Sequence, residues 1–195
     1  SCPNAPAIRK ARLVFHRKFD VLTSLALGLS TLPVAAPALT NNVAYAEDGP
    51  PAPPVLDKDV QITPAKDVYP DIALAKKQVE EAFATAARTK RKVLIDFGGN
   101  WCPDCRMLAG IFEQPEVAQW LESQFVVVPV NVGRIDKNLD IAKQYGVTIH
   151  EVPTVLIVTP GRKLPNADGA NTLGNARAMS THAVLDLLDK WNRRG

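Results

Sequence analysis

Residues 92–108 read KVLIDFGGNWCPDCRML, and this stretch decides the fold. The short apolar run at residues 93–97 favours a β-strand, and the two glycines that follow end it. Residues 102–112 then show helical spacing. Cys102 and Cys105 are therefore expected where a strand gives way to a helix.

Two cysteines at this spacing are suited to thiol–disulfide chemistry. A Cys-x-x-Cys pair lets the two sulfurs meet across one helical turn and close a small disulfide ring. At a helix N-terminus the dipole and unpaired N–H groups stabilise a thiolate, which predicts Cys102 as the nucleophile and Cys105 as the resolving thiol. The redox-active disulfide Cys102–Cys105 would need no further cofactor. Asp104, between the cysteines, is expected to raise the pKa of Cys102 and to repel acidic substrates, and Trp101 to shield the sulfurs.

A pair of cysteines at this spacing also occurs in zinc sites and in static disulfides. A zinc site normally needs two more ligands, and the remaining candidates are His150 and His182, with Cys2 and His16 near the N-terminus. No second Cys-x-x-Cys exists, so we predict no metal site. A static disulfide is disfavoured because so small a ring constrains the unfolded chain little. His150 is a candidate for the rim of the active site, where a histidine could tune the pKa of a thiolate.

The N-terminal segment has the pattern of an export signal. Residues 1–46 hold five of the Lys/Arg residues, then an almost uncharged run at 21–32, then Ala-Tyr-Ala at 44–46. A basic region, an apolar region and a small-x-small site in this order predict cleavage after Ala46 and a periplasmic mature protein. An uncleaved membrane anchor and an organelle-targeting segment are the alternatives.

The charge balance points away from nucleic acid. Without residues 1–46 the chain carries 18 basic and 19 acidic side chains, so no net positive field remains. The basic tract at 88–92 is interpreted as a helix end whose cations cap carbonyl groups. Residues 47–70 are proline-rich and predict an extended linker without helix or strand.

From residue 71 to 195 the periodicity indicates one compact domain. Helices are predicted at 72–86 with Asp71 as N-cap, 102–112, 115–123, 137–145 and 181–191, and strands at 93–97, 125–132, 152–159 and, as a hairpin after the turn at 160–161, at 163–164. The strand at 125–132 is expected to be buried on both faces. Residues 166–178 receive no assignment. Alternating helices and strands predict an α/β fold with a central sheet covered by helices on both faces.

A family resemblance rests on three motifs. Residues 92–108, followed by Tyr-Gly-Val at 145–147 and Val-Pro-Thr at 152–154, resemble the thioredoxin family, and the similarity covers residues 72–193. It implies a thioredoxin-like fold with a central mixed sheet. Residues 112–117 are similar to extracytoplasmic domains related to the C-terminal domain of the membrane thiol–disulfide interchange protein.

The resemblance also implies site residues. Asp96 corresponds to the buried carboxylate that takes the proton from the resolving thiol. Pro153 corresponds to a cis-proline facing the sulfurs, with the Val152 backbone placed to pair with an extended substrate peptide. Trp101 and Thr154 complete the implied substrate-binding set.

Two departures qualify the resemblance. The residues between the cysteines are Pro-Asp instead of the usual Gly-Pro, which indicates a restricted substrate range. Pro129 stands where many members have a lysine near Asp96, so a further rise in the carboxyl pKa is expected.

The expected function is an exported thiol–disulfide oxidoreductase, acting as a reductase of protein or small-molecule disulfides. Its partners would be a disulfide-containing protein or small-thiol substrate and a membrane-bound electron donor, with the protein itself a monomer. A peptide-binding module with incidental redox activity is the alternative. A thiol peroxidase is a third possibility, with Arg106 adjacent but no matching threonine.

Overall fold

The structure is a computed structural model of the 195-residue chain, and it describes residues 49–195. The predicted export signal, Cys2 and His16 lie outside the described residues. Within residues 49–195, none of the helices combines the length and the apolar character needed to cross a membrane.

The described residues form three strands, five α-helices and two 3₁₀ helices. In chain order these are the 3₁₀ helix Ile72–Leu74, α1 Ala75–Thr89, β1 Lys92–Gly98, α2 Pro103–Phe112, α3 Pro115–Gln124, β2 Phe125–Asn131, α4 Leu139–Lys143, β3 Thr154–Val158, the 3₁₀ helix Thr172–Ala178 and α5 Thr181–Asn192. Asp71 caps the first 3₁₀ turn through Oδ1, which accepts from the Ala73 N–H at 2.8 Å. The helix predicted at 137–145 shortens to α4, because Asn138 at its start has a φ of 56°.

The strands form one mixed sheet in the order β2-β1-β3. β1 pairs with β2 in parallel and with β3 in antiparallel orientation. Alternate side chains of β1 face opposite ways and enter two separate cores. Ile95 and Phe97 pack with Phe83 of α1, whereas Leu94 packs with Leu108 of α2 and with α3 and α5. The predicted α/β class, with helices on both faces of the sheet, is confirmed.

The prediction that the second strand is buried on both faces is wrong. β2 is an edge strand, and its residues alternate between buried and partly exposed positions, with Val127 38% exposed. The central strand β1 and β3 are the ones buried throughout. A continuous apolar run does not distinguish a central strand from an edge strand that has one face partly exposed.

The predicted hairpin strand at 163–164 does not form in the described part of the chain. Asn166, fully buried, takes its place beside β3. Its Oδ1 accepts from the Ile157 N–H at 2.9 Å, and its Nδ2 donates to the Val155 carbonyl at 2.8 Å. The Val155 N–H donates to the Ala170 carbonyl at 2.9 Å. One side-chain amide and one loop carbonyl thus satisfy the free edge of β3, so no fourth strand is needed there.

Residues 49–70 have no helix or strand, as predicted, but they pack against the domain. Leu56 and Ile62 contact one core, and the buried Tyr69 belongs to the other. We call residues 62–70 the strap, because they run along α2 from Gly110 through Arg106 to Asn100, which precedes the helix. The boundary predicted at residue 71 stays a prediction, but the segment before it contributes to the core.

The basic tract at 88–92 caps helix ends, as interpreted. The Arg91 guanidinium donates to the Phe125 and Glu122 carbonyls at the end of α3, and Lys92 Nζ donates to the Asn192 carbonyl at the end of α5. These cations therefore neutralise two helix C-termini.

Replacing Asn166 by alanine is expected to lower the free energy of unfolding by roughly 2–4 kcal/mol, because it leaves the Ile157 N–H and the Val155 carbonyl buried without partners. Urea denaturation measures the loss. Asn175→Ala, at an exposed position in the neighbouring 3₁₀ helix, is the control and should change stability little. Equal losses in the two variants would contradict the role given to the Asn166 amide.

Candidate active site

The first cysteine is the N-cap of α2. Cys102 has extended backbone angles, and its Sγ accepts a hydrogen bond from the Cys105 N–H at 3.2 Å. Pro103 follows at the first helical position, where no N–H is required. Both cysteines are buried and carry free thiols, and Cys102 Sγ also lies 3.5 Å from the Val152 carbonyl oxygen. The structure therefore describes the reduced, dithiol form of the pair.

The two thiols have very different acidities. A hydrogen bond from Cys105 and the backbone N–H groups of residues 104 and 105 lower the pKa of Cys102 to about 7, against the opposing effect of burial. The pKa of Cys105 is raised, first because its proton is held in the hydrogen bond with Cys102 and second because of burial. Cys102 is thus the thiol that ionises near neutral pH, which agrees with its predicted role as nucleophile.

Asp104 acts as predicted on the nucleophile, but weakly. Its charge raises the pKa of Cys102, yet this is the smallest of the effects acting on that thiol. The carboxylate is paired with Arg177, whose backbone N–H donates to Oδ1 at 2.9 Å and whose Nε donates to Oδ2 at 3.2 Å. Because Arg177 balances the charge, the expected repulsion of acidic substrates is reduced. Residues 166–178, unassigned from sequence, supply this partner.

Asp96 lies under the site with its side chain buried. It is 2% exposed, and burial raises its pKa to about 7. Pro129 is its register partner on β2, so no cation stands opposite, as the sequence predicts. The Tyr69 hydroxyl donates to Asp96 Oδ2 at 2.8 Å, which opposes the effect of burial. Asp96 Oδ1 is buried and has no hydrogen-bond partner among the described residues.

Sequence reasoning missed Tyr69, which lies in the segment interpreted as a linker. Its backbone is held by Asn100, whose Oδ1 accepts from the Tyr69 N–H and whose Nδ2 donates to the Tyr69 carbonyl, both at 2.9 Å. The indicative signal was Gly98, the residue at the end of β1: a Cβ there would lie 2.4 Å from Tyr69 Oη. A glycine is required because another side chain enters this space.

Trp101 lies at the surface next to the cysteines. It is 40% exposed, and its Nε1 donates to the Gly133 carbonyl at 2.6 Å. The Arg134 guanidinium stacks on the ring, 4.8 Å from its centroid. The ring is therefore held toward the loop after β2, with one part still open to a partner.

The loop before β3 contains the other predicted substrate-binding residues. Val152 and Pro153 are buried, and the peptide bond between them is cis. Thr154 is fully buried, and its hydroxyl hydrogen-bonds the Glu151 carbonyl at 2.8 Å and the Asn171 side chain at 2.7 Å. Thr154 thus supports the loop from inside and offers no surface for the direct substrate contact expected of it. His150 is exposed on this loop.

The remaining candidates lie apart from the cysteines. His182 pairs with Asp186 on α5 at 3.0 Å. Arg106, considered for a peroxidase, donates through Nε to the Ala65 carbonyl of the strap at 2.9 Å. Across residues 49–195, no three His, Cys, Asp or Glu side chains are grouped so as to hold a metal ion.

Comparison with known proteins gives a consistent result. A family model described as "Thioredoxin-like" matches residues 74–160. The chain is 41% identical to Thioredoxin 1 of Nostoc sp. over 78 residues, which cover 40% of this chain and 66% of that protein, just under two thirds. It is 34% identical to a disulphide isomerase of known structure from Xylella fastidiosa Temecula1, with a TM-score of 0.59 and coverage of 63% of this chain and 95% of the other. The C-terminal domain of DsbD from Neisseria meningitidis, in the oxidised form, matches at 25% identity over 49% of this chain and 80% of that domain, with a TM-score of 0.36.

Replacing Asp96 by asparagine is expected to stabilise the reduced protein above neutral pH. The folded-state pKa of Asp96, about 7, lies above the ordinary value of 3.8. The free energy of unfolding of the wild type therefore decreases as pH rises from about 4 to about 7, because ionising the buried carboxyl is costly. The asparagine variant lacks this loss, and its advantage should reach the order of 3–4 kcal/mol at pH 8. Urea denaturation at a series of pH values measures it.

The control is Asp59→Asn, at an exposed turn position. It should show no advantage that grows across this pH window. A constant difference between wild type and Asp96→Asn from pH 4 to pH 8 would contradict the raised pKa.

Proposed function

The chain belongs to the thioredoxin-like family of thiol–disulfide oxidoreductases, and on this premise we propose that it reduces protein or small-molecule disulfides through Cys102 and Cys105. The observation that carries the proposal is the capped thiol of Cys102, with a pKa of about 7 at the N-terminus of α2. A thiol with this pKa is substantially ionised at neutral pH and remains a good nucleophile.

The reaction follows from the difference between the two thiols. The Cys102 thiolate attacks one sulfur of a substrate disulfide, and the other substrate sulfur leaves as a thiolate. Cys105 then loses its proton and attacks the Cys102 sulfur of the mixed disulfide. The second substrate thiolate leaves, and the enzyme is left as the Cys102–Cys105 disulfide. Asp96, buried beneath Cys105 with a pKa of about 7, is suited to accept that proton.

The reducing direction is supported by the acidity of Cys102. Strongly oxidising members of this chemical class have nucleophilic thiols with pKa values of about 3.5, which stabilises their reduced form, whereas reducing members have values of about 7. The pKa of about 7 for Cys102 falls in the second group. Such a reductase returns to the dithiol only if a donor supplies electrons, and we propose a membrane-bound donor.

Substrate recognition is proposed to use the rim around Cys102. The exposed part of Trp101 and the backbone of Val152, whose carbonyl already contacts Cys102 Sγ, would meet an extended peptide. Binding of this kind is compatible with action as a monomer.

The sequence of the first 46 residues supports export to the periplasm. The basic cluster, the apolar run and Ala46 have the order of a cleavable signal. A reductase in that oxidising compartment would need the continuous electron supply proposed above.

Cys102→Ser is expected to abolish catalytic reduction of insulin disulfides, a loss of at least about a thousandfold, because no thiolate remains to attack. Cys105→Ala should accumulate the mixed disulfide, which mass spectrometry detects. In the uncleaved 195-residue chain, Cys2→Ser is the matched control, since it removes the third cysteine and should leave turnover unchanged. Equally negligible turnover by wild type and all variants would favour the peptide-binding alternative.

Residues 1–46, preceded by a start methionine and fused to alkaline phosphatase, are expected to direct active phosphatase to the periplasm. N-terminal sequencing of the exported full chain should begin at Glu47. Leu25→Arg combined with Leu27→Arg interrupts the apolar run and should abolish export. Phosphatase activity that survives this double substitution would contradict the signal.

A further inference from the structure

The strap is fastened at three points to residues around the redox pair. Ala65 and Arg106 of α2 form two hydrogen bonds. The Ala65 N–H donates to the Arg106 carbonyl at 2.8 Å, and the Arg106 Nε donates to the Ala65 carbonyl at 2.9 Å. Asn100, one residue before Trp101, holds both backbone groups of Tyr69. Asn131, at the end of β2, donates to the Pro70 carbonyl at 2.9 Å.

Two glycines make room for the strap. A Cβ at Gly110 in α2 would lie 2.2 Å from the Thr63 carbonyl oxygen, so only glycine permits this approach. A Cβ at Gly98 would lie 2.4 Å from Tyr69 Oη and 2.8 Å from Cys105 Sγ. The two distances at Gly98 also show that the Tyr69 hydroxyl and the Cys105 thiol surround one small space at the end of β1.

The hydroxyl of Tyr69 therefore lies beside both groups of the proton-transfer step. It donates to Asp96 Oδ2 at 2.8 Å, and Tyr69 as a whole is 3% exposed. Asp96 Oδ1, the other carboxylate oxygen, has no partner among the described residues. A buried carboxylate with one oxygen held and the other unpaired is arranged to accept a proton on the unpaired oxygen.

We propose that Tyr69, delivered by the strap, is a positioning residue for resolution of the mixed disulfide: it fixes Asp96 through Oδ2 and leaves Oδ1 to take the proton of Cys105. This inference rests on the proposed reductase function and deepens it. The strap precedes residues 74–160, which match the family model, so this chain adds a residue to the shared redox pair from outside the matched region.

The step balances without a further reactant. The Cys105 S–H bond breaks and its proton goes to Asp96 Oδ1, while the sulfur electron pair forms the new S–S bond with Cys102. The bond between Cys102 and the substrate sulfur breaks, and the substrate leaves as a thiolate. The substrate is reduced, the enzyme pair is oxidised, and Asp96 later returns the proton to solvent or to the leaving thiolate.

Few ionisable groups face Asp96. The strap provides Tyr69, and α2 with its N-cap provides Cys105 and Cys102. The neighbouring strands place Pro129 and Val155 opposite Asp96 in register, and neither side chain ionises. Because Tyr69 also lies beside Cys105, combining Tyr69→Phe with Asp96→Asn is the test that assigns a change in the pH dependence of resolution to Asp96.

The test is Tyr69→Phe, which keeps the ring and removes the hydroxyl. Reduced enzyme carrying Cys2→Ser, so that Cys102 and Cys105 are the remaining thiols, is mixed with one equivalent of dithiobis(nitrobenzoate), and the coloured thiolate is followed by stopped flow at a series of pH values. The first release reports attack by Cys102, and the second reports resolution by Cys105. Without its hydrogen bond, Asp96 ionises at higher pH, so the midpoint of the second phase should rise by about one unit, with about a fivefold loss of rate at pH 7.

Three further variants make the result specific. Tyr145→Phe, which removes a hydroxyl that bonds Arg162 on another surface, should leave both phases unchanged. Adding Tyr69→Phe to Asp96→Asn should change nothing further, because Tyr69 acts through Asp96. Meta-fluorotyrosine at Tyr69 is a stronger donor and should move the midpoint of the second phase to lower pH, which keeps the inference testable if Tyr69→Phe does not fold.

The outcomes separate the two proposals. Two phases in every variant with an unchanged second midpoint would overturn the role of Tyr69 and leave the reductase intact. Equal slowing of both phases without a shift in midpoint would reduce Tyr69 to a structural role and also overturn it. No colour release by wild-type enzyme would overturn the proposed function itself.

Discussion

The hydrogen bond from the Cys105 N–H to Cys102 Sγ is the interaction on which the site depends. A helix N-cap accepts from a backbone donor of the first turn, and here a sulfur does so instead of an oxygen. The sulfur takes this position only if β1 ends directly beneath the helix and the chain reverses over two glycines, with the Cys102 N–H bonded to the Gly99 carbonyl at 3.0 Å. The cap that starts α2 is thus also the interaction that stabilises the thiolate, and local folding and reactivity share one geometry.

The same surroundings that lower the pKa of Cys102 raise the pKa of the second thiol, Cys105. The hydrogen bond with Cys102 and, after it, burial raise the pKa of Cys105 and keep it protonated, so the resolving step needs a base inside the protein. A carboxylate in that position costs stability, because its charged form is removed from water. Asp96 is kept in a central strand despite this cost, and the Tyr69 hydroxyl reduces it. The buried carboxylate of Asp96 therefore lowers the free energy of unfolding at the position where the resolving step requires a base.

Prediction from sequence succeeds where the determining contacts are local. The strand-to-helix transition and the Cys102/Cys105 pair are specified within residues 92–108, and the structure keeps them together. Tyr69 was missed because it reaches Asp96 from 27 positions earlier in the chain, across a proline-rich segment that carries no periodic pattern. The hairpin strand was expected because the turn at 160–161 leads the chain into residues 163–164, but the edge of β3 finds its hydrogen-bond partners elsewhere. Periodicity cannot reveal that one buried amide, Asn166, supplies them.

The residues between the cysteines show how a distant segment alters a local expectation. The motif alone predicts that Asp104, two positions after Cys102, opposes ionisation of that thiol. The 3₁₀ helix Thr172–Ala178 packs against α2 and brings Arg177 onto that carboxylate by two hydrogen bonds. The paired charge has only the smallest effect on Cys102, whose pKa still falls to about 7. An acidic residue at the redox pair is therefore compatible with a reactive thiolate, because the 3₁₀ helix Thr172–Ala178, unassigned from the sequence, carries its counter-charge.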